Sequence, residues 1–188
     1  MTFTFKKLSI PEVILVETQS FSDNRGFFLE NFKTSSFVSN EINTKFVQDN
    51  FSHSIRGVLR GLHYQKNSKA QSKLVSALRG EIFDAAVDIR KNSPTFGKWV
   101  GEILSDKNHK SLYIPEGFAH GFCVLSEDSD VLYKVNNEYS PENERGIIWN
   151  DPQINIKWPT DTPILHEKDS TLPLLQNADI DFIYTRDK

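Results

Sequence analysis

Cysteine is almost absent from this 188-residue chain, which contains one Cys and one Met. A single Cys excludes an intrachain disulfide and any zinc cluster built from several cysteines. Because Cys123 lies in the apolar run 122–125, we expect a buried, unreactive thiol rather than a nucleophile. A chain of this length can bury a core without cross-links, and we predict one domain over residues 1–188.

Runs of basic residues and long apolar segments are also missing from the sequence. The formal net charge is −3 and the sequence pI is about 6.0. Domains that bind nucleic acid usually carry a basic patch, so we expect no nucleic-acid partner. No segment approaches the roughly 20 apolar residues of a membrane helix, and the N-terminus lacks the apolar centre of a signal peptide. We therefore expect a cytoplasmic protein without a membrane contact.

Phosphate-binding loops are missing as well. The sequence contains neither a GxGxxG motif nor a Walker-type loop, so neither a dinucleotide cofactor nor bound ATP is indicated. Without a reactive Cys, three possibilities remain: acid–base chemistry, a metal-dependent reaction, or no catalysis. We expect no cofactor.

Aromatic residues, by contrast, are abundant, with 14 Phe, 5 Tyr and 3 Trp. Short runs of β-type residues alternate with Gly, Pro, Asn and Asp, a pattern that predicts an all-β sandwich or jelly roll with few short helices. We expect one short helix over 35–40, a Pro-punctuated tail after Trp158, and a hairpin at Arg79-Gly80. The expected strands are 13–17, 26–32, 46–52, 58–64, 73–78, 81–88, 99–104, 111–114, 121–125, 130–135 and 146–149.

Two of the five histidines, His63 and His120, lie beside Gly in strand-like segments. Either one alone is more often a structural histidine, but two such segments near charged residues favour a functional site. The segment PEGFAHGF (115–122) resembles the second signature of the cupin superfamily, whose fold is a jelly roll. Metal-binding cupins also carry an H-x-H pair and a Glu. Here Gln65 stands two positions after His63 and 66–71 lacks a carboxylate, so we expect no metal.

Eight segments, in order along the chain, carry a more specific resemblance. The chain resembles the dTDP-4-dehydrorhamnose 3,5-epimerase family, a metal-free, cupin-like family, from about residue 10 to residue 176. The matching segments are DNRGFFLE (23–30), FVQDN (46–50), GVLRGLHYQ (57–65), QSKLV (71–75), VDIRKNSPTFGKWVG (87–101), IPEGFAHGF (114–122), YSPENERGIIWNDP (139–152) and EKD (167–169).

The resemblance implies proton transfer at C3 and C5 of dTDP-4-dehydro-6-deoxy-D-glucose, giving dTDP-4-dehydro-L-rhamnose. The 4-keto group acidifies both carbons, so a base, an acid and a stabilised enolate suffice without a redox cofactor. An ordinary imidazole has a pKa of about 6.5 and suits the base. The family pattern gives this role to His63, paired with Asp169, and makes Tyr133 the proton donor and Lys73 the enolate stabiliser.

The resemblance also implies a binding site for a nucleotide sugar. It further implies a homodimer in which N-terminal strands of one subunit complete the sheet of the other. Arg25 and Glu30 are then expected to serve a site shared with the partner, Tyr139 to stack on thymine, and Asp84 to hold a neighbouring charge. The substrate-binding residues implied are Arg25, Glu30, Gln48, Asp49, Asn50, Arg60, Lys73, His120, Tyr139, Glu144 and Lys168.

Arg60 and His63 have opposite parity along a regular strand and would face opposite sides. If both contact one substrate, the strand must be irregular between them, and Gly61 is the residue that permits it. We therefore predict a bulge around Gly61.

Three other functions remain open at the level of sequence. A related enzyme could invert only C3 or only C5, and a metal-dependent cupin would require stoichiometric metal. A non-catalytic carbohydrate-binding jelly roll would tolerate replacement of His63 by Asn.

Overall fold

Two antiparallel sheets make up most of the structure, a computed structural model that describes residues 2–185. The strands are β1 Phe3–Lys7, β2 Ile14–Thr18, β3 Ser20–Asp23, β4 Gly26–Leu29, β5 Gln48–Ile55, β6 Leu59–Gln65, β7 Lys73–Arg79, β8 Glu81–Asp88, β9 Trp99–Ser105, β10 Lys110–Ile114, β11 Phe118–Val124, β12 Asp128–Val135 and β13 Glu144–Gly146. The six-stranded sheet has the order β1-β2-β10-β7-β12-β5, the five-stranded sheet has the order β13-β6-β11-β8-β9, and β3 and β4 form a separate hairpin. The helices are α1 Thr34–Val38 and α2 Glu167–Ser170, with a 3-10 turn at Leu175–Asn177.

The central core lies between the two sheets and follows the alternation of side chains along each strand. From the six-stranded sheet, β7 contributes Val75 and Ala77. From the five-stranded sheet, β8 contributes Ile82 and Ala86. Lys73 shares the inward parity of Val75 and is also buried, so its cation lies at the end of a mostly apolar layer.

The C-terminal segment covers the outer face of the five-stranded sheet. Leu62 and Val87 on that face pack with Ile154, Leu175 and Phe182. This packing fixes the path of the chain after β13 and brings α2 back to β6. The predicted all-β, cupin-type jelly roll with few short helices is therefore confirmed.

Several local predictions were wrong. The Arg79-Gly80 turn does not form a hairpin, because β7 pairs with β10 and β12 while β8 pairs with β9 and β11. The chain crosses from one sheet to the other at this corner, and a Cβ on Gly80 would lie 2.1 Å from the carbonyl oxygen of Asp128. A tight turn signals a change of direction but does not specify the sheet to which the next strand belongs.

The ends of the chain also differed from expectation. The sequence pattern missed β1, β3 and α2, and the strand expected at 146–149 is instead β13, three residues that end at Gly146. The expected buried thiol is confirmed, since Cys123 is buried and burial raises its pKa to about 11. Within residues 2–185, no helix is long and apolar enough to cross a membrane. The assignment of 1–188 to one domain stays a prediction.

Candidate active site

A cavity of about 460 Å³ opens between the two sheets at the end where Lys73 enters the core. A hollow of about 100 Å³ adjoins it and shares several of its residues. The polar residues that line the cavity are Ser52, Arg60, His63, Lys73, His120, Tyr133, Glu144, His166, Lys168 and Asp169. The adjoining hollow adds Gln48, Asn50, Gln65, Gln71 and Tyr139.

Strand β6 carries both Arg60 and His63 to this cavity in spite of their opposite parity. The pairing with β11 is irregular there, because three residue steps on β6 oppose two on β11. Gly61 has a φ of +135°, and a Cβ at this position would lie 2.5 Å from the Gly121 Cα. The predicted irregularity around Gly61 is confirmed.

His63 forms a dyad with Asp169. The Nε2 atom of His63 lies 2.7 Å from Oδ1 of Asp169, while Oδ2 of Asp169 accepts a hydrogen bond from the Gly61 N–H at 3.2 Å. Burial is the largest single influence and raises the pKa of Asp169, but the bond and charge of His63, the Gly61 N–H and the charge of His166 together lower the net pKa. A carboxylate accepts here, so neutral His63 carries its proton on Nε2 and leaves Nδ1 free to act as a base.

Helix α2 delivers Asp169 to this position. His166 precedes the helix, and its Nδ1 accepts a hydrogen bond from the Lys168 N–H at 3.1 Å. The cap fixes the first turn, and Asp169 is 4% exposed. A residue 106 positions from His63 along the chain thus completes the dyad.

A second dyad lies on the neighbouring strand β11. Nε2 of His120 is 2.7 Å from Oδ1 of Asp84, and both residues are buried. His120 is the direct cross-strand partner of His63. Burial lowers the pKa of His120 against the opposing charge of Asp84, so this imidazole is neutral at neutral pH.

Lys73 supplies a buried cation. Among residues 2–185 it forms no ion pair within 4.0 Å, and its Nζ donates only a long hydrogen bond of 3.5 Å to the His63 carbonyl. Burial lowers the pKa of Lys73 to about 8, and the negative charges of Asp84 and Glu144 oppose that effect. An ammonium without a close counter-ion is suited to a developing oxyanion.

Tyr133 enters the cavity from the other sheet, on β12. Burial raises the pKa of its phenol, against a smaller opposing effect of Arg60. The phenol is therefore protonated at neutral pH and can donate a proton from the side of the cavity that faces His63.

At the mouth of the cavity, Glu144 accepts hydrogen bonds from Lys168 Nζ and, at 2.7 Å, from the Tyr139 hydroxyl. Burial is the largest single influence and raises the pKa of Glu144, but these two bonds and the charges of Lys168 and His63 together lower the net pKa. Tyr139 is 54% exposed, so its ring is open to a flat ligand. Arg60 is oriented by a bond from Nε to Ser54 Oγ at 3.1 Å.

Three of the predicted residues lie outside the cavity. Arg25 is at the tip of the β3–β4 hairpin and bonds to Asp23, and Glu30 follows β4 beside Lys33. Asp49 faces away from the cavity because it lies between two inward residues of β5, and it bonds to Lys134 at 2.9 Å.

The sequence analysis did not predict some of the residues that line the cavity. His166 was read as part of the Pro-punctuated tail, and Phe122 as an apolar strand residue. Nothing in the local sequence marks either one. The pairing of Asp84 with His120 did leave a trace, since both are polar residues at inward positions of strongly apolar strands.

Residues 2–185 contain no group of three or more His, Cys, Asp or Glu side chains placed to hold a metal ion. Two of the three cavity histidines, His63 and His120, each contact a carboxylate. A base with its carboxylate, a phenol from the opposite sheet and a buried ammonium in one cavity define an acid–base enzyme on a cupin-type jelly roll.

Comparison with known proteins identifies the family. The sequence model for dTDP-4-dehydrorhamnose 3,5-epimerase matches residues 7–177. The chain therefore belongs to the dTDP-4-dehydrorhamnose 3,5-epimerase family and is an isomerase, as its motifs predict.

Individual proteins similar to this chain are named as epimerases of the same kind of sugar nucleotide. The dTDP-4-dehydrorhamnose 3,5-epimerase of Shigella flexneri is 56% identical over 166 residues, which cover 87% of this chain and 91% of that protein. The crystal structure of dTDP-6-deoxy-D-glucose-3,5-epimerase from Legionella pneumophila, solved with dTDP-4-keto-L-rhamnose, is 46% identical with a TM-score of 0.93. It covers 98% of this chain and 100% of that one. A dTDP-4-dehydrorhamnose 3-epimerase of Streptomyces niveus is 36% identical over 176 residues, 92% of this chain and 84% of that protein.

Proposed function

We propose that the enzyme inverts C3 and C5 of dTDP-4-dehydro-6-deoxy-D-glucose to give dTDP-4-dehydro-L-rhamnose. The observation that carries the proposal is one cavity with the His63–Asp169 dyad on one sheet and Tyr133 on the other. Inversion needs a base and an acid on opposite faces of the sugar, and the two sheets supply them. Relatives more than 50% identical bear the 3,5-epimerase name, whereas the 3-epimerase is 36% identical.

Each inversion begins at His63. Its Nδ1 takes the proton from the carbon next to the 4-keto group, and the C–H electron pair moves to form the enolate, with negative charge on O4. Asp169 accepts the Nε2–H bond throughout and stabilises the imidazolium that forms. The Lys73 ammonium stabilises O4 more strongly in the enolate than in the ketone, which lowers the barrier.

Tyr133 completes the inversion. Its O–H gives a proton to the opposite face of the same carbon, and the enolate electrons return to re-form the carbonyl. The imidazolium and the tyrosinate must exchange protons with solvent before the second carbon reacts. Because proton abstraction and return balance, the reaction needs no oxidant or reductant.

Cations at the mouth suit the diphosphate. Arg60 presents a planar fork and Lys168 a point charge, and both line the cavity. Tyr139 is proposed to stack on thymine. Gln48, Asn50, His120 and Glu144 supply hydrogen-bonding groups around the sugar nucleotide.

Arg25, Glu30 and a homodimer belong to the same proposal. Phe27 and Phe28 in the β3–β4 hairpin are 60% and 67% exposed, and Phe51 on the outer face of the six-stranded sheet is 63% exposed. Such an apolar surface is typical of a subunit interface. Pairing through it would bring Arg25 and Glu30 of one subunit to the cavity of the other.

Subunit complementation tests this arrangement. Arg25→Ala and His63→Asn are each expected to have low activity alone, and co-expressed heterodimers regain activity, because one site then has its own His63 and an Arg25 from the other subunit. Co-expressed heterodimers with no gain over the single variants would refute a shared site.

The reaction is tested by incubating the protein with dTDP-4-keto-6-deoxyglucose in deuterated water and following C3 and C5 by NMR. Deuterium at both carbons supports the proposal, and deuterium at one carbon identifies a mono-epimerase. No exchange with folded protein would rule the reaction out. Activity that disappears with a chelator and returns with a metal would favour the metal-dependent alternative.

A further inference from the structure

Tyr139 lies between β12 and β13, outside the strands and helices, and both it and Glu138 are exposed. Among residues 2–185, no backbone–backbone hydrogen bond involves either of these two residues. A surface segment of this kind keeps one conformation only where side chains bind its backbone groups. The side chains that bind it therefore determine where the Tyr139 ring lies.

Gln65 holds this segment from the five-stranded sheet. The residue is 3% exposed. Its Oε1 accepts a hydrogen bond from the Ser140 N–H at 2.7 Å. Its Nε2 donates to the carbonyl oxygens of Lys69 at 2.6 Å and Glu138 at 3.3 Å. These bonds fix the orientation of the amide and use both protons of Nε2, so Gln65 has no donor left for a substrate.

Gln48 holds the same segment from the six-stranded sheet. Its Oε1 accepts a hydrogen bond from the Tyr139 N–H at 3.0 Å, and its Nε2 donates to Asn50 at 2.8 Å. Both peptide units that flank the Tyr139 Cα are thus bound by glutamine side chains. Because one glutamine comes from each sheet, the segment spans the cavity mouth between the two sheets.

The side chain of Tyr139 is also fixed at its far end. Glu144 accepts the hydrogen bond of the Tyr139 hydroxyl at 2.7 Å, and Glu144 is the direct cross-strand partner of Gln65. Two paired residues of β6 and β13 therefore hold the backbone and the hydroxyl of Tyr139. An exposed ring that is fixed at both ends loses little freedom when a flat ligand stacks on it, which favours binding.

We infer that Gln65 is a positioning residue for the nucleobase, which acts through Tyr139 and does not itself contact the ligand. The inference rests on the proposed function, in which Tyr139 stacks on thymine. Gln65 shares the parity of His63 on β6. One strand thus carries the proposed base and, two residues further on, the support for the ring that binds the nucleobase.

The hold on the segment is measured first, by amide hydrogen exchange and NMR in the unmodified protein without a ligand. The Ser140 N–H is expected to exchange at least about tenfold more slowly than in an unstructured peptide, because Gln65 binds it. Exchange at the rate of an unstructured peptide would overturn the inference. Because no nucleotide is present, this result is independent of whether the epimerase reaction occurs.

The action through Tyr139 is measured next, by calorimetric titration of dTDP into Gln65→Met, Tyr139→Ala and the double variant. Met is similar to Gln in length and uncharged but lacks the amide. Each single variant is expected to bind dTDP about tenfold more weakly, the effect of one stacked base. The double variant is also expected to lose about tenfold, not about a hundredfold, because both changes remove the same interaction. In Gln65→Met, KM for the sugar nucleotide should rise by this factor while kcat stays within about twofold.

Asp151→Asn is the matched control. Asp151 is also buried, and its carboxylate accepts hydrogen bonds from the Ile154 and Leu175 N–H groups outside the cavity. Its variant is therefore expected to lose stability without weakening dTDP binding.

Two results would refute the role of Gln65 while leaving the proposed function intact. One is a folded Gln65→Met protein that binds dTDP as tightly as the unmodified protein, and the other is a loss of about a hundredfold in the double variant. Unmodified protein that does not bind dTDP would refute the proposed nucleotide site together with this inference. If Gln65→Met does not fold, the exchange rate of the Ser140 N–H in the unmodified protein decides.

Discussion

The two His–Asp dyads of the cavity have the same contact distance, 2.7 Å, but different surroundings. The His63 side chain is 30% exposed and that of Asp169 6%, whereas His120 is 6% exposed and Asp84 fully buried. His63 is held by a helix from the C-terminal part of the chain, and His120 by the next strand of its own sheet.

This difference indicates that exposure to solvent, more than the His–Asp contact itself, determines whether a dyad can exchange protons. His63 keeps one ring edge open to substrate and water, so it can take up a proton and release it. His120 is enclosed, and burial lowers its pKa, so it keeps a fixed hydrogen-bonding pattern. In the proposed mechanism, one dyad transfers protons and the other orients the sugar.

The largest expected effect separates the two histidines directly. His63→Asn should lower kcat by about 10³–10⁴, because general base catalysis contributes up to that amount. His120→Asn should mainly raise KM, by about tenfold, the cost of about one good hydrogen bond. Steady-state kinetics with circular dichroism as a folding check makes the comparison, and equal losses of kcat in both variants would contradict it.

The second-largest expected effect concerns the close backbone approach of Gly61 to Gly121, which brings the two dyads together. Gly61→Ala should cost about 3 kcal/mol of unfolding free energy, because its Cβ would meet the Gly121 backbone at 2.5 Å and its φ is +135°. Gly57→Ala is the matched control, since φ is +80° but nothing lies within 4 Å of the added Cβ, and should cost about 1 kcal/mol. Urea unfolding measures both, and similar values would argue against backbone crowding.

Replacing the proposed proton donor Tyr133 while keeping the proposed base His63 should separate deuterium exchange from inversion of the carbon. In Tyr133→Phe, His63 can still remove a proton and return one to the same face. Epimerisation should therefore fall by about 10² while deuterium still enters C3 or C5 without inversion. NMR of the recovered substrate distinguishes the products, and equal loss of exchange and inversion would place the base elsewhere.

The smallest effect is a pH dependence. Burial lowers the pKa of Lys73 to about 8, so its ammonium is present below that pH and is lost as pH rises through it. The kcat/KM of the unmodified enzyme should therefore fall about tenfold per pH unit above about 8. Tyr133 does not explain this limb, because burial raises its pKa. In Lys73→Met the remaining activity should lack the alkaline limb.

Much of the fold was predictable from short-range pattern. Strand β8 was predicted with its observed bounds, because its β-prone run begins directly after the turn signal at Arg79-Gly80. The pairing of strands was not predictable in the same way: β7 and β8 are separated by one residue yet belong to different sheets. Local sequence signals a turn, but the packing of the whole core decides which sheet receives the next strand.

The cavity residues also divide into those that the sequence predicts and those whose place depends on the folded chain. His63 and Tyr133 could be proposed from the family resemblance, and the bulge at Gly61 followed from parity once Arg60 and His63 were both assigned to one substrate. The same parity argument applied to β5 would have placed Asp49 on the outer face, beside Lys134. Asp169 was also predicted only through the family resemblance, because its role depends on a contact with a residue far away in the sequence.

The contact between His63 and Asp169 affects the order in which structure and activity appear during folding. The strands that carry His63 and Tyr133 are complete long before residue 169 is synthesised, and loop closure over 106 residues is among the slower steps of chain assembly. A refolding chain should therefore recover its sheet signal before its activity. If Asp169 acts as proposed, the enzyme becomes competent only when helix α2 docks, and recovered activity then reports nearly complete folding.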